Sequence, residues 1–241
     1  MSTVAYQVRV SNRAKHPRLK LSARDGLVVV IPDGFDEARI PDVVARKREW
    51  IRRSEERLRE QEKFVVPQPS AMPPERISLR AVGEDWSVVY RQTQAPGVTA
   101  VERRGQQLLV YGDIEDEPQV VAALQRWLAR KTREHLVPRL RALGDDKGMH
   151  AAGVAVRSQR TRWASCSAKG TISLNIRLLF LPSQLVRYAL LHELVHLREM
   201  NHSRRFWAYL ASVEPDYRSF DDELRQSWRL VPDWIHRHSH A

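Results

Sequence analysis

Residues 192–202 read His-Glu-Leu-Val-His-Leu-Arg-Glu-Met-Asn-His. Two histidines four apart on a helix leave the same face one turn apart, so His192 and His196 can reach a single metal ion. Glu193, about 100° further round the helix, stands where its carboxylate can hold a water on that ion. His202 offers a third nitrogen. Three protein ligands leave a fourth tetrahedral position open, which is the mark of a catalytic zinc site rather than a structural one. The chemistry such a set implies is metal-assisted hydrolysis, with Glu193 as general base and Zn2+, or another divalent ion, as cofactor.

The surrounding elements must bring these groups together. Pro182-Ser183 reads as a helix start with Ser183 as N-cap. The run from Leu185 to Val195 is then too apolar for a solvent-facing helix. Histidines and a glutamate on a buried helix are costly without partners, and a metal supplies one. Ordinary core histidines satisfied by hydrogen bonds are the competing account, stronger for a lone histidine than for this triplet. On a straight helix His202 would lie about 9 Å beyond His196 along the axis. The chain must therefore turn between Arg198 and His202, with Asn201 taking the left-handed conformation that ends helices. The spacing equals that of the metzincin pattern, but Glu199 stands at its glycine position. Glu199 or a more distant acid is the rival third ligand.

Ahead of the helix, residues 160–178 read as a hairpin turning at Ala168-Lys169-Gly170. Ile172, Leu174, Ile176 and Leu178 alternate with Ser173, Asn175 and Arg177, which predicts one buried and one polar face. A strand beside the metal helix can offer its edge to an extended peptide. Arg160, Arg162, Asn175, Arg177, Arg205 and Tyr217 are the substrate-binding candidates, and Tyr217 or an arginine could serve a tetrahedral oxyanion. Cys166 is the single cysteine. It excludes an intrachain disulfide, fits a reducing compartment, and reads as a packed small residue rather than a nucleophile.

The chain of 241 residues carries a formal charge of +11. Residues 151–205 hold nine Lys and Arg against only Glu193 and Glu199, so anionic substrates such as a nucleotide, and nucleic acid, join peptides as possible partners. Apolar stretches are too short to span a membrane, and a cytoplasmic protein is expected. The pattern predicts an α+β fold. Residues 1–118 form its antiparallel β-rich part: a hairpin around Arg24-Asp25-Gly26, a charged helix over 41–63 with Val43, Val44, Trp50 and Ile51 as its apolar stripe, a proline-rich connector at 64–75, and strands near 76–83, 86–92, 98–103 and 107–112. Residues 119–241 form the catalytic part, beginning with a helix over 117–143. The histidine-rich tail from His236 reads as a frayed terminus.

Arg162-Trp-Ala-Ser-Cys-Ser167, Ile172-Ser-Leu-Asn175, the run from His192 to Ser203, and Phe206-Trp207 together resemble the YgjP-like metallopeptidase family, which is similar to the SprT and WLM zinc peptidases. The likeness is densest over 155–220. Ala164 departs from the family's usual glycine. The resemblance implies a zincin-like catalytic half with His192, His196 and His202 on zinc and Glu193 as base. Three functions are expected candidates: a zinc peptidase, a pyrophosphatase acting on UTP-like nucleoside triphosphates with the same metal-water chemistry and the surrounding arginines, and a DNA-associated protease or basic nucleic-acid binder.

Overall fold

The computed structural model describes residues 6–52, apart from 13, 15 and 23–25, and residues 73–236. The middle of the hairpin turn at 24–25, the helix beyond 52, most of the proline-rich connector and the tail beyond His236 lie outside the described residues. The chain divides into two compact units, Met1–Val66 and Pro67–Ala241.

In the first unit β3 (Gly26–Ile31) lies between β1 (Tyr6–Val10), parallel to it, and β2 (Arg18–Ser22), antiparallel to it. Its unbroken Leu-Val-Val-Val-Ile run is explained by burial on both faces. Leu27, Val29 and Ile31 pack with Ile40, Val44 and Ile51, whereas Val28 and Val30 pack with Ala14. Helix α1 (Ile40–Arg46) opens with Pro41 in its first turn, where the missing N–H costs nothing, and residues 48–52 are helical again. Of the expected stripe, Val44 and Ile51 are buried while Trp50 is exposed.

The second unit begins with a sheet of order β4 (Arg76–Leu79), β5 (Glu84–Gln92), β7 (Gln107–Gly112), β6 (Thr99–Arg103). Here too the expected antiparallel arrangement is only partly found. β6 pairs on the far side of β7 instead of beside β5, so β5 and β7 run parallel. The long helix α2 (Glu117–Lys147) is capped by the Asp116 carboxylate, which accepts from the Gln119 amide, and it ends at Gly148 in the left-handed conformation. Leu124, Trp127 and Leu128 of α2 share one core with Ile77, Leu79, Trp86, Leu108 and Val110 of the sheet. The 118/119 boundary therefore falls in the first turn of α2, inside the second unit.

The elements that carry the site follow. β8 (Gly153–Arg157), β10 (Thr171–Asn175) and β9 (Ala164–Cys166) form a second sheet in that order, with β8 parallel and β9 antiparallel to the central β10. β9 is an edge. Gly170, at positive φ, turns the β9–β10 hairpin where expected. The predicted alternation of faces stops at Asn175, because the chain leaves the strand for a 3-10 turn over Ile176–Phe180 and buries Asn175 and Arg177. Helix α3 (Ser183–Val195) starts one residue earlier than its cap was placed: Pro182 is the N-cap, and Ser183 is already helical. α4 (Arg204–Val213) is capped by Ser203, and α5 (Tyr217–Gln226) follows. The fold is α+β, as the pattern predicted, and no described helix is long and apolar enough to cross a membrane.

Ionic contacts tie α2 to its sheet. Lys131 is buried, lies 3.0 Å from Glu84, and sits over the Trp86 ring. Burial alone would raise the Glu84 pKa, but hydrogen bonds from Lys131 and Trp86 outweigh it and hold the group below its ordinary value of 4.5. A carboxylate depressed in this way stabilises the fold above pH 4.5 and loses that effect as the pH falls through its folded value. Lys131→Met should cost about 1–3 kcal/mol in urea unfolding near neutral pH, the penalty of leaving the half-buried Glu84 without its lysine partner. The gap from the parent should narrow below pH 4.5; a gap independent of pH would show that Lys131 acts by packing alone.

Candidate metal centre

α3 supplies His192, Glu193 and His196 from its last turn, and α3 ends at once: Val195 is its last residue and His196 its C-cap. The reversal is tighter and earlier than expected. Amides of Leu197 and Arg198 bond carbonyls three residues back, which winds the last turn down, and the Ser203 amide reaches Asn201 O at 2.7 Å. Among the described residues Gln106 is the one non-glycine at positive φ, so Asn201 does not supply a left-handed stop. The result is the same. His202 returns to the other two, and one ring nitrogen from each lies within 4.8 Å of the others. No carboxylate joins that group among the described residues; Glu199 contributes only its backbone carbonyl, which accepts from His196 Nδ1 at 3.0 Å. That bond leaves Nε2 as the unprotonated nitrogen of His196.

Phe206 packs under all three rings, with centroids 4.9, 4.6 and 4.7 Å from His192, His196 and His202. Trp207 stacks on His202 at 5.5 Å. Both aromatics come from the first turn of α4, four and five residues past the third histidine. Their spacing in the sequence is visible, but their role as a floor requires the reversal to be known.

The electrostatics suit a cation. Burial, then the neighbouring His196 and His202, push the His192 pKa down to about 3, and burial also lowers His196. At neutral pH these rings therefore keep bare nitrogens. His192 Nε2 and His202 Nε2 approach to 2.9 Å, a separation that suits a hydrogen bond between them and equally two ligands of one cation. Glu193 is 8% exposed and its Oε2 has no hydrogen-bond partner. Burial pushes its pKa up to about 7, against the opposing pull of the Cys166 backbone amide and the Arg162 guanidinium. A buried carboxylate oxygen without a partner is costly, and it marks a place where a ligand or water belongs. The donor set fits a divalent ion.

A cleft of about 460 Å3 opens over these groups. α3 forms its floor, Arg162 to Cys166 of the β9 segment one wall, and Asp221 and Leu224 of α5 another. Trp163 joins the walls: it stacks on Trp228 at 3.9 Å and donates from Nε1 to Leu224 O. Tyr188, under His192, donates to Asp221 at 3.1 Å. The contribution of α5 had no signal in the sequence, because it depends on how a helix twenty residues away packs.

The other candidates are distributed unevenly. Arg162 lines the cleft, whereas Arg160, Asn175, Arg177, Arg205 and Tyr217 do not. Asn175 donates to the carbonyls of Gln159 and Arg162 at 2.7 and 2.6 Å. Arg177 donates to Ser158 Oγ and to the carbonyls of Gln159 and Ile235. Both therefore fasten the loop that carries Arg162. Tyr217 lines an adjoining depression.

Three convergent imidazoles, a buried carboxylate next to them and an open cleft are the arrangement of a metal-dependent hydrolase centre. The comparison of sequences agrees. The model of the YgjP-like metallopeptidase domain matches residues 15–227, and the chain belongs to that family. Among solved structures it is similar to the crystal structure of the metallopeptidase zymogen of Pyrococcus abyssi abylysin, with 28% identity and a TM-score of 0.34 over 39% of this chain and 94% of that one. No curated protein sequence matches it.

Divalent ions added to chelator-stripped protein should raise its Tm with one-to-one stoichiometry, since binding to the folded state alone stabilises it. His202→Ala should weaken the ion's Kd by at least about tenfold, on the order of a lost ligand or its support. An unchanged Kd would remove His202 from the set.

Proposed function

We propose that the protein is a zinc-dependent peptidase, with zinc held by His192, His196 and His202. The observation that carries this reading is the unpartnered, buried Oε2 of Glu193 beside three imidazoles that converge on one point. Nitrogen-only donation from imidazole suits zinc. When bound there, the ion supplies a Lewis acid for the scissile carbonyl and makes water more acidic.

The chain's own residues supply the rest. Glu193, a carboxylate whose pKa burial raises and which lies next to the imidazoles, can take a proton from the attacking water and return it to the leaving amine. Its low exposure keeps bulk water from screening that exchange. β9 has β10 on one side and contributes Ala164, Ser165 and Cys166 to the cleft wall. An extended peptide can add to that edge as a further strand, its main chain held by backbone hydrogen bonds beside Glu193. Arg162 is the arginine of the cleft and our candidate for the charge developing on the carbonyl oxygen.

The phosphoanhydride alternative fits this cleft less well. A nucleoside triphosphate brings several negative charges, and Arg162 shares the cleft lining with Asp221, while Arg160, Arg177 and Arg205 are not among its lining residues.

Glu193→Gln should leave metal affinity within a few-fold and lower peptide cleavage by about 10²–10⁴-fold, the contribution of a positioned base. Casein and mixed peptides are suitable substrates, with a nucleotide panel as the control. Cleavage that survives the substitution, or nucleotide hydrolysis without peptide cleavage, would refute the proposal.

A further inference from the structure

The cleft continues past His202. Asp221 lines both it and a depression of about 390 Å3, walled by Trp207 of α4 and by Tyr217, Arg218, Asp222 and Arg225 of α5. Those α5 positions form one stripe along the helix. Planar groups stack outward from the metal centre: His202 on Trp207 at 5.5 Å, Trp207 on Tyr217 at 5.6 Å, and the Arg218 guanidinium 5.7 Å from the Tyr217 ring centroid.

The polar groups of the depression are unequally committed. Asp221 accepts from Tyr188 and Arg225, and Arg225 also reaches Asp222 at 3.5 Å. These three side chains largely satisfy one another. Arg218 donates from Nε to the Tyr217 oxygen at 3.1 Å. Its two terminal nitrogens and the Tyr217 O–H remain as donors with no partner among the described residues. They sit at the first turn of α5, where the helix dipole adds positive potential. Cationic donors beside aromatic rings match a carboxylate on a short apolar stem.

We propose that this depression is a subsite for a carboxylate of the peptide substrate, held by Arg218 and Tyr217. The carboxylate is an Asp or Glu side chain, or the C-terminus of the substrate itself. The inference rests on the peptidase reading above and makes Arg218 a specificity-determining residue, with Tyr217 binding substrate at a distance from the metal centre.

The test is cleavage-site profiling of metal-loaded, full-length protein on a defined peptide mixture, offered with free and with amidated C-termini. Asp and Glu should be favoured over Asn and Gln by roughly five- to tenfold at one fixed distance from the cut, an effect that shrinks as salt screens the exposed charge. Arg218→Gln should abolish the preference, and Arg218→Glu should exchange it for Lys and Arg. A preference confined to free C-termini identifies the terminal carboxylate as the occupant; one present in both sets identifies the side chain. Cleavage with no preference for carboxylates, or a preference that both variants keep, overturns the subsite and leaves the peptidase reading standing. If no peptide is cut under any condition, the peptidase reading falls and the subsite falls with it.

Discussion

The structure depends on one costly arrangement: two imidazoles and a carboxylate at the end of a helix buried in apolar surroundings, with the exposed His202 folded back onto them. Leu185, Val186, Leu190, Leu191, Leu194 and Val195 have essentially no exposed surface. Polar atoms placed among such neighbours lose their hydration and must recover it from a partner. The Glu199 carbonyl provides one for His196, and the Cys166 amide contributes to holding Glu193. Nothing in the described protein satisfies Glu193 Oε2. In the proposed reading a cation on the imidazoles and its water meet that need, so the feature that would destabilise an empty core defines the chemistry.

The rest of the second unit serves to hold that arrangement still. Phe206 fixes the three rings from beneath. Arg187 of α3 pairs with the buried Glu214 that follows α4, which joins α3 to the end of α4 outside the centre. The opposite wall is pinned by main-chain contacts. Asn175 and Arg177 fasten residues 158–162, and Trp163 then spans to Leu224 and Trp228. Arg177 is a buried guanidinium whose described partners are carbonyls and a hydroxyl, and burial, with Arg160 nearby, lowers its pKa to about 10. Keeping a cation there is expensive, and its return is a cleft wall of fixed position.

Much of this was legible from residue spacing. The i, i+4 histidines, the adjacent glutamate and the need for a reversal before His202 follow from helix geometry alone, and so does the β9–β10 hairpin from its alternation and its glycine. Three things escaped. Asn175 and Arg177 look solvent-facing from the alternation, but the 159–162 segment hydrogen-bonds Asn175 at the end of β10 and the 3-10 turn sends Arg177 inward. β8, with Val154 and Val156 half-buried at a sheet edge, is too short and weakly patterned to stand out. The wall from α5 and the parallel pairings of β1 with β3 and β5 with β7 are long-range choices, which local periodicity does not encode.

X-ray absorption of the zinc-loaded protein at the metal edge is the most direct measurement of the central claim. The account predicts three imidazole nitrogens at about 2.0–2.1 Å and one further light ligand, with an unchanged first shell in Glu193→Gln. A sulfur from Cys166 in the shell, only two imidazoles, or a shell that changes when Glu193 is replaced would contradict it.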